Sequence, residues 1–197
     1  MKNIFKATAV AILCANTINA QAIPVQWTSG AGANNHWYDF IGGSNTWTSA
    51  QTSALGSTFN GMTGYLATIT SAEENNFLVA LSSIDGWIGA TDEANEGEWL
   101  WANGPEAGTQ FWQGTSTGAA VGGNFSSWNT GEPNNVGAVG EDYAHLQGGR
   151  WNDLPNGSNR GYFVEFSGVT SSVPEPMTLW LLASGLIGFG AMRKKYQ

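Results

Sequence analysis

The chain of 197 residues carries one cysteine and only 7 lysines and arginines against 15 acids. Cys14 lies in an N-terminal apolar run, so the chain beyond that run has no thiol. This excludes a disulfide framework, a thiolate metal site and a cysteine nucleophile. Positive charge is also missing from the middle. Between Ile23 and Val173 the only basic residues are Arg150 and Arg160, against fourteen acids, a net charge of −12 where the whole chain has −8. A phosphate-binding face cannot be built from that, so nucleic acid is excluded as a partner. An excess of carboxylates points instead to hard cations. What is plentiful is glycine (27) and tryptophan (10), with 42% hydrophobic residues, enough for a core in a turn-rich fold rather than a helical bundle.

The two ends read as sorting signals. Lys2 and Lys6 precede the apolar run Ala7 to Ala15, and the small residues of "ANTINAQA" follow. That is the pattern of a signal peptide, residues 1–22, cut after Ala22. At the other end a linker, 168–176, holds Val173-Pro174-Glu175-Pro176. An apolar transmembrane segment, 177–192, and a basic cytoplasmic tail, 193–197, come next. This order resembles the PEP-CTERM sorting signal of Gram-negative bacteria. The resemblance implies transient inner-membrane anchoring, cleavage by a sorting protease of the exosortase type, and delivery to the cell surface or extracellular matrix.

Between the signals, residues 23–167 read as one domain. "NTWTSAQTSAL" (45–55) predicts a helix with Trp47 and Leu55 inward. "GYLATIT" (64–70) predicts a strand. Ser71 as N-cap with Glu74 three residues on is a capping box, and Phe77, Leu78 and Leu81 follow at helical spacing. Strands are expected at 86–91, 97–104 (Trp99 and Trp101 on one face), 142–147 and 161–166. Regular structure is thin from Gly104 to Gly140, a length of loop that points to function or to a bound ligand. The order is an α+β pattern.

Within that loop "GEPNNVGAVGED" (131–142) packs Glu132, Glu141 and Asp142 beside Asn134 and Asn135, with Pro133 restricting the chain. Like charges repel, so the stretch is either a solvated acidic turn or the shell of a cation. Calcium takes about six to eight oxygens from carboxylates and carbonyls, and Asn152 and Asp153 offer more from the turn after Trp151.

"GYLATITSAEENNFL", "WIGATDEANEGEWLWANG", "WNTGEPNN", "GEDYAHL" and "RWNDLP" together resemble C-type lectin-like domains, over about residues 35 to 167. The resemblance implies two helices flanking small antiparallel sheets, with a long loop region that binds Ca2+ and, in many members, sugar. It implies a principal site of Glu132, Asn134, Glu141, Asn152 and Asp153, and a cis bond before Pro133. It also implies an auxiliary site of Asp92, Glu96, Asn135 and Asp142, with Glu141 bridging the two. Sugar hydroxyls would meet Glu132, Asn134, Glu141 and Asn152, and the order Glu-Pro-Asn goes with mannose-type glycans. Where relatives carry cysteines, Tyr143, Pro155 and Val164 stand here.

Other residues read more plainly. Trp151, Tyr143, Trp112 and Trp128 are expected to pack, and His145 to be a satisfied partner rather than a ligand. Asp92 and Glu96 also fit as surface charges. The function expected is calcium-dependent carbohydrate binding by an exported protein. The alternative is a structural or adhesive matrix protein that uses calcium for stability alone. Glu132 and Glu141 could in principle work as an acid–base pair, but ion coordination needs both ionised, and no separate nucleophile accompanies them. Catalysis is not expected.

Overall fold

The computed structural model describes residues 23–168. The leader, most of the linker, the apolar segment 177–192 and the tail 193–197 lie outside the described residues. Among the described residues no helix is long and apolar enough to cross a membrane.

Two helices and eleven strands make up the domain, and one strand organises the rest. That strand is β11 (Arg160–Phe166). Along one side it pairs antiparallel with β2 (Trp37–Asn45), whose outer side carries the short β1 (Val25–Gln26). Along its other side it pairs first with β5 (Gly86–Thr91), in parallel, and then with β4 (Met62–Leu66), antiparallel. The β5 contact is the one parallel pairing among the named strands of the described residues; the others are antiparallel, as expected. β4 also carries β3 (Thr58–Phe59). From β5 the sheet branches. One branch is β6 (Glu98–Trp101), β7 (Gln110–Gln113) and β8 (Ala119–Ala120). The other is β9 (Tyr143–Gln147) and β10 (Arg150–Leu154).

Helix α1 (Trp47–Leu55) starts where Thr46 Oγ1 accepts the Ser49 N–H. Trp47 is buried and donates its indole N–H to the Ile88 carbonyl, so the side chain is both packed and satisfied. Leu55 does not share that face. It is 43% exposed, and Ala50 and Ala54 fill the buried stripe, because small residues let the helix lie close to β4. Helix α2 (Ala72–Leu81) is capped by Ser71 Oγ as expected. Glu74 does not close the box. Its carboxylate accepts from the Thr70 N–H and hydroxyl and from the Tyr38 hydroxyl instead. Leu78 is buried, with Phe77 and Leu81 packed at its margin.

The region 64–70 is a strand only to Leu66. The loop from 104 to 140 is less bare than expected, since β7 and β8 lie in it. Beneath it Trp101, Phe111, Trp128 and Trp151 form an aromatic cluster, with Trp101 stacked 4.6 Å from Phe111 and edge-on to Trp151 at 5.8 Å. Trp99 and Trp101 do share a buried face. Trp128 of the aromatic cluster leads directly into the stretch 131–142.

Candidate functional site

The site is built around a tight hairpin. Gly148 and Gly149, both at positive φ (57° and 86°), turn β9 into β10 as a two-residue connection requires. Asn152 and Asp153, expected in a turn after Trp151, therefore lie in strand β10, with Asp153 opposite Ala144. The segment 127–129 runs along the other side of β10. The Trp151 N–H donates to the Ser127 carbonyl and the Asn129 N–H to the Trp151 carbonyl. This carries the chain into Glu132-Pro133, whose peptide bond is cis.

Asp153 is the centre of the loop. It is fully buried, and its Oδ2 accepts the Asn134 and Asn135 N–H groups at 2.9 and 2.8 Å. Its Oδ1 is buried with no hydrogen-bond partner, and so is Glu132 Oε2. The two carboxylates come within hydrogen-bonding reach of each other. Burial, then the Asp153 carboxylate beside it, then the Glu141 charge push Glu132 up to about 7. Two acceptor oxygens facing each other need a proton or a cation between them. Glu141 closes the loop from the other end. Its N–H donates to Asn135 Oδ1, and its Oε2 accepts the Val136 N–H, which Asn134 Oδ1 shares. Asn152 donates its amide to the Asp153 carbonyl. Asn134, Glu141, Asn152 and Asp153 are thus tied together by hydrogen bonds, and Glu132 lies beside Asp153.

The auxiliary residues interlock with them. Asn135, at φ 51°, donates to Glu96 Oε2 while accepting from the Glu141 N–H. Asp92 is buried rather than a surface charge. Its Oδ2 accepts the Gly97 N–H, its Oδ1 has no partner, and its N–H donates to the Asp142 carbonyl. Burial first, with the charges of Glu96, Asp142 and Asp153, pushes Asp92 up to about 7. Burial also raises Glu96 and Asp142. Glu93 was not expected here. Burial and then its charge raise Asp142, and burial and then Glu93 raise the Tyr143 hydroxyl. The place of Glu93 beside Asp92 in "TDEANEG" was the available signal.

Among the described residues no three or more Asp, Glu, His or Cys side chains form a preformed metal-holding group. The donors are instead a mixture of carboxylates and amides. They suit calcium, because partnerless buried carboxylate oxygens of Glu132 and Asp153 have the hard-oxygen chemistry that this ion takes. Proton and ion would compete there. Below pH about 7 Glu132 holds a proton that a cation must displace, so apparent calcium affinity should fall by up to about tenfold per pH unit lost. Calorimetric titration with calcium from pH 8 to pH 5.5 checks this. A constant affinity across that range would remove Glu132 from the ligand set.

Two buried polar features lie outside the loop. His145 is 1% exposed and edge-on to Trp87, but its Nδ1 has no partner, contrary to the satisfied role expected. Burial, then the Arg160 charge, lowers it to about 4 and keeps the ring neutral. Glu165, also 1% exposed, accepts from the Thr68 N–H and pairs with His36 Nδ1 at 2.6 Å. Tyr38 lies between Glu165 and Glu74. This cluster ties the N-terminal segment to α2 and β11. Residues 36, 38, 74 and 165 are too far apart in sequence for spacing to join them.

The comparisons agree with this geometry. Residues 43–163 match the family model described as the Lectin C-type domain, and residues 172–195 match the PEP-CTERM protein-sorting motif. Halomucin of Haloquadratum walsbyi is 36% identical over 165 residues, 79% of this chain and 2% of the relative. The low affinity immunoglobulin epsilon Fc receptor of Mus musculus is 35% identical over 118 residues, 59% of this chain and 29% of the relative. The chain thus spans a small part of these relatives. Among solved structures, the carbohydrate-recognition domain of cow CD23, determined in the presence of a GlcNAc2Man3 oligosaccharide, superposes with a TM-score of 0.53. It is 27% identical and covers 76% of this chain and 99% of that one.

Proposed function

We propose a function from the premise that this chain belongs to the C-type lectin domain family: it is an exported protein that binds carbohydrate through a calcium-dependent loop site. The observation that supports it most is the pair of buried, partnerless oxygens, Glu132 Oε2 and Asp153 Oδ1, set in a loop of carboxylates and amides. Calcium held by Glu132, Asn134, Glu141, Asn152 and Asp153 would supply open coordination positions to two neighbouring sugar hydroxyls. The chain's own groups do the rest. The carboxylates of Glu132 and Glu141 accept the hydroxyl hydrogens, and the amides of Asn134 and Asn152 donate to the hydroxyl oxygens. The order Glu132-Pro133-Asn134 favours mannose-type glycans, and Asp92, Glu96, Asn135 and Asp142 hold a second ion beside the first. The role is binding, with no bond made or broken.

The domain plan belongs to the same proposal. A leader, 1–22, is removed. The sorting segment, 177–192, and its basic tail anchor the chain transiently in the inner membrane until an exosortase-type protease releases it to the surface or beyond. The ligand is then a surface or matrix polysaccharide. A glycan array with calcium and with chelator tests the reading, because a purely structural role for the ion would leave no calcium-dependent spots.

Reversing the donor order should redirect the site. Glu132→Gln with Asn134→Asp keeps the formal charge and exchanges acceptor for donor around the ion. Mannose binding should weaken about tenfold or more, with some gain for galactose, read by competition with the two monosaccharides. An unchanged preference for mannose would mean that hydroxyls are not recognised at this loop.

A further inference from the structure

We propose that the groove between α2 and the β9–β10 hairpin is a second saccharide subsite, one that takes a sugar bearing a carboxylate. The inference rests, as a neighbouring subsite, on the carbohydrate-binding reading, but its chemistry needs no metal.

The groove has a volume of about 430 Å³, within the range of ligand clefts. Its walls are pinned together. Asn75, 4% exposed, donates to the Gly149 carbonyl at 2.9 Å and accepts the Trp151 indole N–H at 2.9 Å. Ser127 donates to the same Gly149 carbonyl, and its own carbonyl accepts the Trp151 N–H. The lining is polar and adaptable, with Asn76, Ser126 and Arg150 beside the half-buried ring of Phe125. Amide and hydroxyl suit sugar hydroxyls, and an aromatic ring suits the apolar face of a sugar.

Arg150 decides the ligand class. It is one of two cations in residues 23–168. Arg160, the other, is half-buried with its Nε enclosed. Arg150 is exposed, and among the described residues no carboxylate forms a salt bridge with it. A domain of net charge −12 repels polyanions generally, so an anion that binds must do so at a local cation. The guanidinium fork matches a carboxylate with two parallel hydrogen bonds. The place is apt. Burial alternates along β10, so Arg150 and Asn152 share the outward face, about 7 Å apart along the strand. One oligosaccharide can therefore span the calcium loop and the groove, setting a neutral sugar at Asn152 and a uronate at Arg150.

The experiment is calorimetry of the full chain with a glucuronate trisaccharide and its neutral glucose counterpart, each in calcium and in chelator. Glucuronate should bind in chelator, weaken with added salt, and bind about fivefold less tightly to Arg150→Gln, equivalent to about 1 kcal/mol. The neutral trisaccharide should not respond to that change. Ala72→Tyr fills the groove and leaves Arg150 in place, and it should weaken glucuronate comparably. The inference is overturned if wild-type chain shows no preference for glucuronate in chelator. It is also overturned if Arg150→Gln leaves the affinity unchanged, or if Ala72→Tyr has no effect while Arg150→Gln does. Loss of calcium-dependent neutral binding with Arg150-dependent glucuronate binding intact would sink the lectin reading and leave the groove standing.

Discussion

Asp153→Asn should abolish calcium-dependent sugar binding while leaving the ion-free domain at least as stable as the natural one. Oδ2 of Asp153 holds the Asn134 and Asn135 N–H groups, and an asparagine oxygen in the same place can accept both. The amide nitrogen would then replace Oδ1, which has no partner, and could donate to the adjacent Glu132 carboxylate, whose Oε2 has none either. The loop keeps its shape and loses a charged ligand. Asp153→Ala is a poorer test, because stripping the acceptor from two backbone donors costs about 1–3 kcal/mol and loosens the loop itself. Affinity chromatography on immobilised mannose, with melting curves in chelator, reads both halves. Calcium-dependent retention of the Asp153→Asn chain would remove Asp153 from the site.

Calcium should raise the melting temperature of the exported domain by roughly 5–10 °C over matched sodium chloride. Ligand at about 100 times its dissociation constant stabilises by about 2.7 kcal/mol for one site, and each kcal/mol moves a domain of this size by about 2–4 °C. The source of the gain is visible. Without the ion, burial and mutual charge hold Glu132 and Asp92 near 7, above their ordinary values of 4.5 and 3.8. The folded state therefore binds more protons than the unfolded chain between those limits, and ionising these groups costs stability as pH rises through the window. Calcium at pH 7.5 relieves that cost. Glu141→Ala should blunt the shift most, since Glu141 orders Asn135 and Val136 as well as contributing charge. Superimposable curves in calcium and chelator would end the calcium reading.

The sequence made some of this plain and hid the rest for physical reasons. The Ser71 cap, the Trp99–Trp101 face and the loop 131–142 were legible because local pattern decides them. β2 was not read at all. Its "WYDFIGGSN" has no clean alternation, and its pairing with β11 joins residues more than a hundred positions apart. β10 looked like a turn because its register is set by β9 and by the 127–129 segment, not by its own residues. Leu55 was placed inward on hydropathy alone, where the close approach of α1 to β4 selects alanine. The expected calcium set, Glu132, Asn134, Glu141, Asn152 and Asp153, came through resemblance rather than from local pattern. Glu93, Glu165 and the Arg150 groove were not foreseen, because each depends on which strands meet.

The place of β11 among its neighbours also bears on how the domain carries force. The polypeptide leaves β11 at Phe166 towards the sorting motif, and the loop site lies three strand-pairings away on β10, through β5 and β9. A pull between the loop site and the chain beyond Phe166 would load β11 lengthwise. β11 is an inner strand, gripped by β2 on one side and by β5 and β4 on the other. Such a load must shear these ladders together, since no free margin is offered from which they could be unzipped one bond at a time. A domain loaded along this strand would hold its fold until several ladders gave way at once.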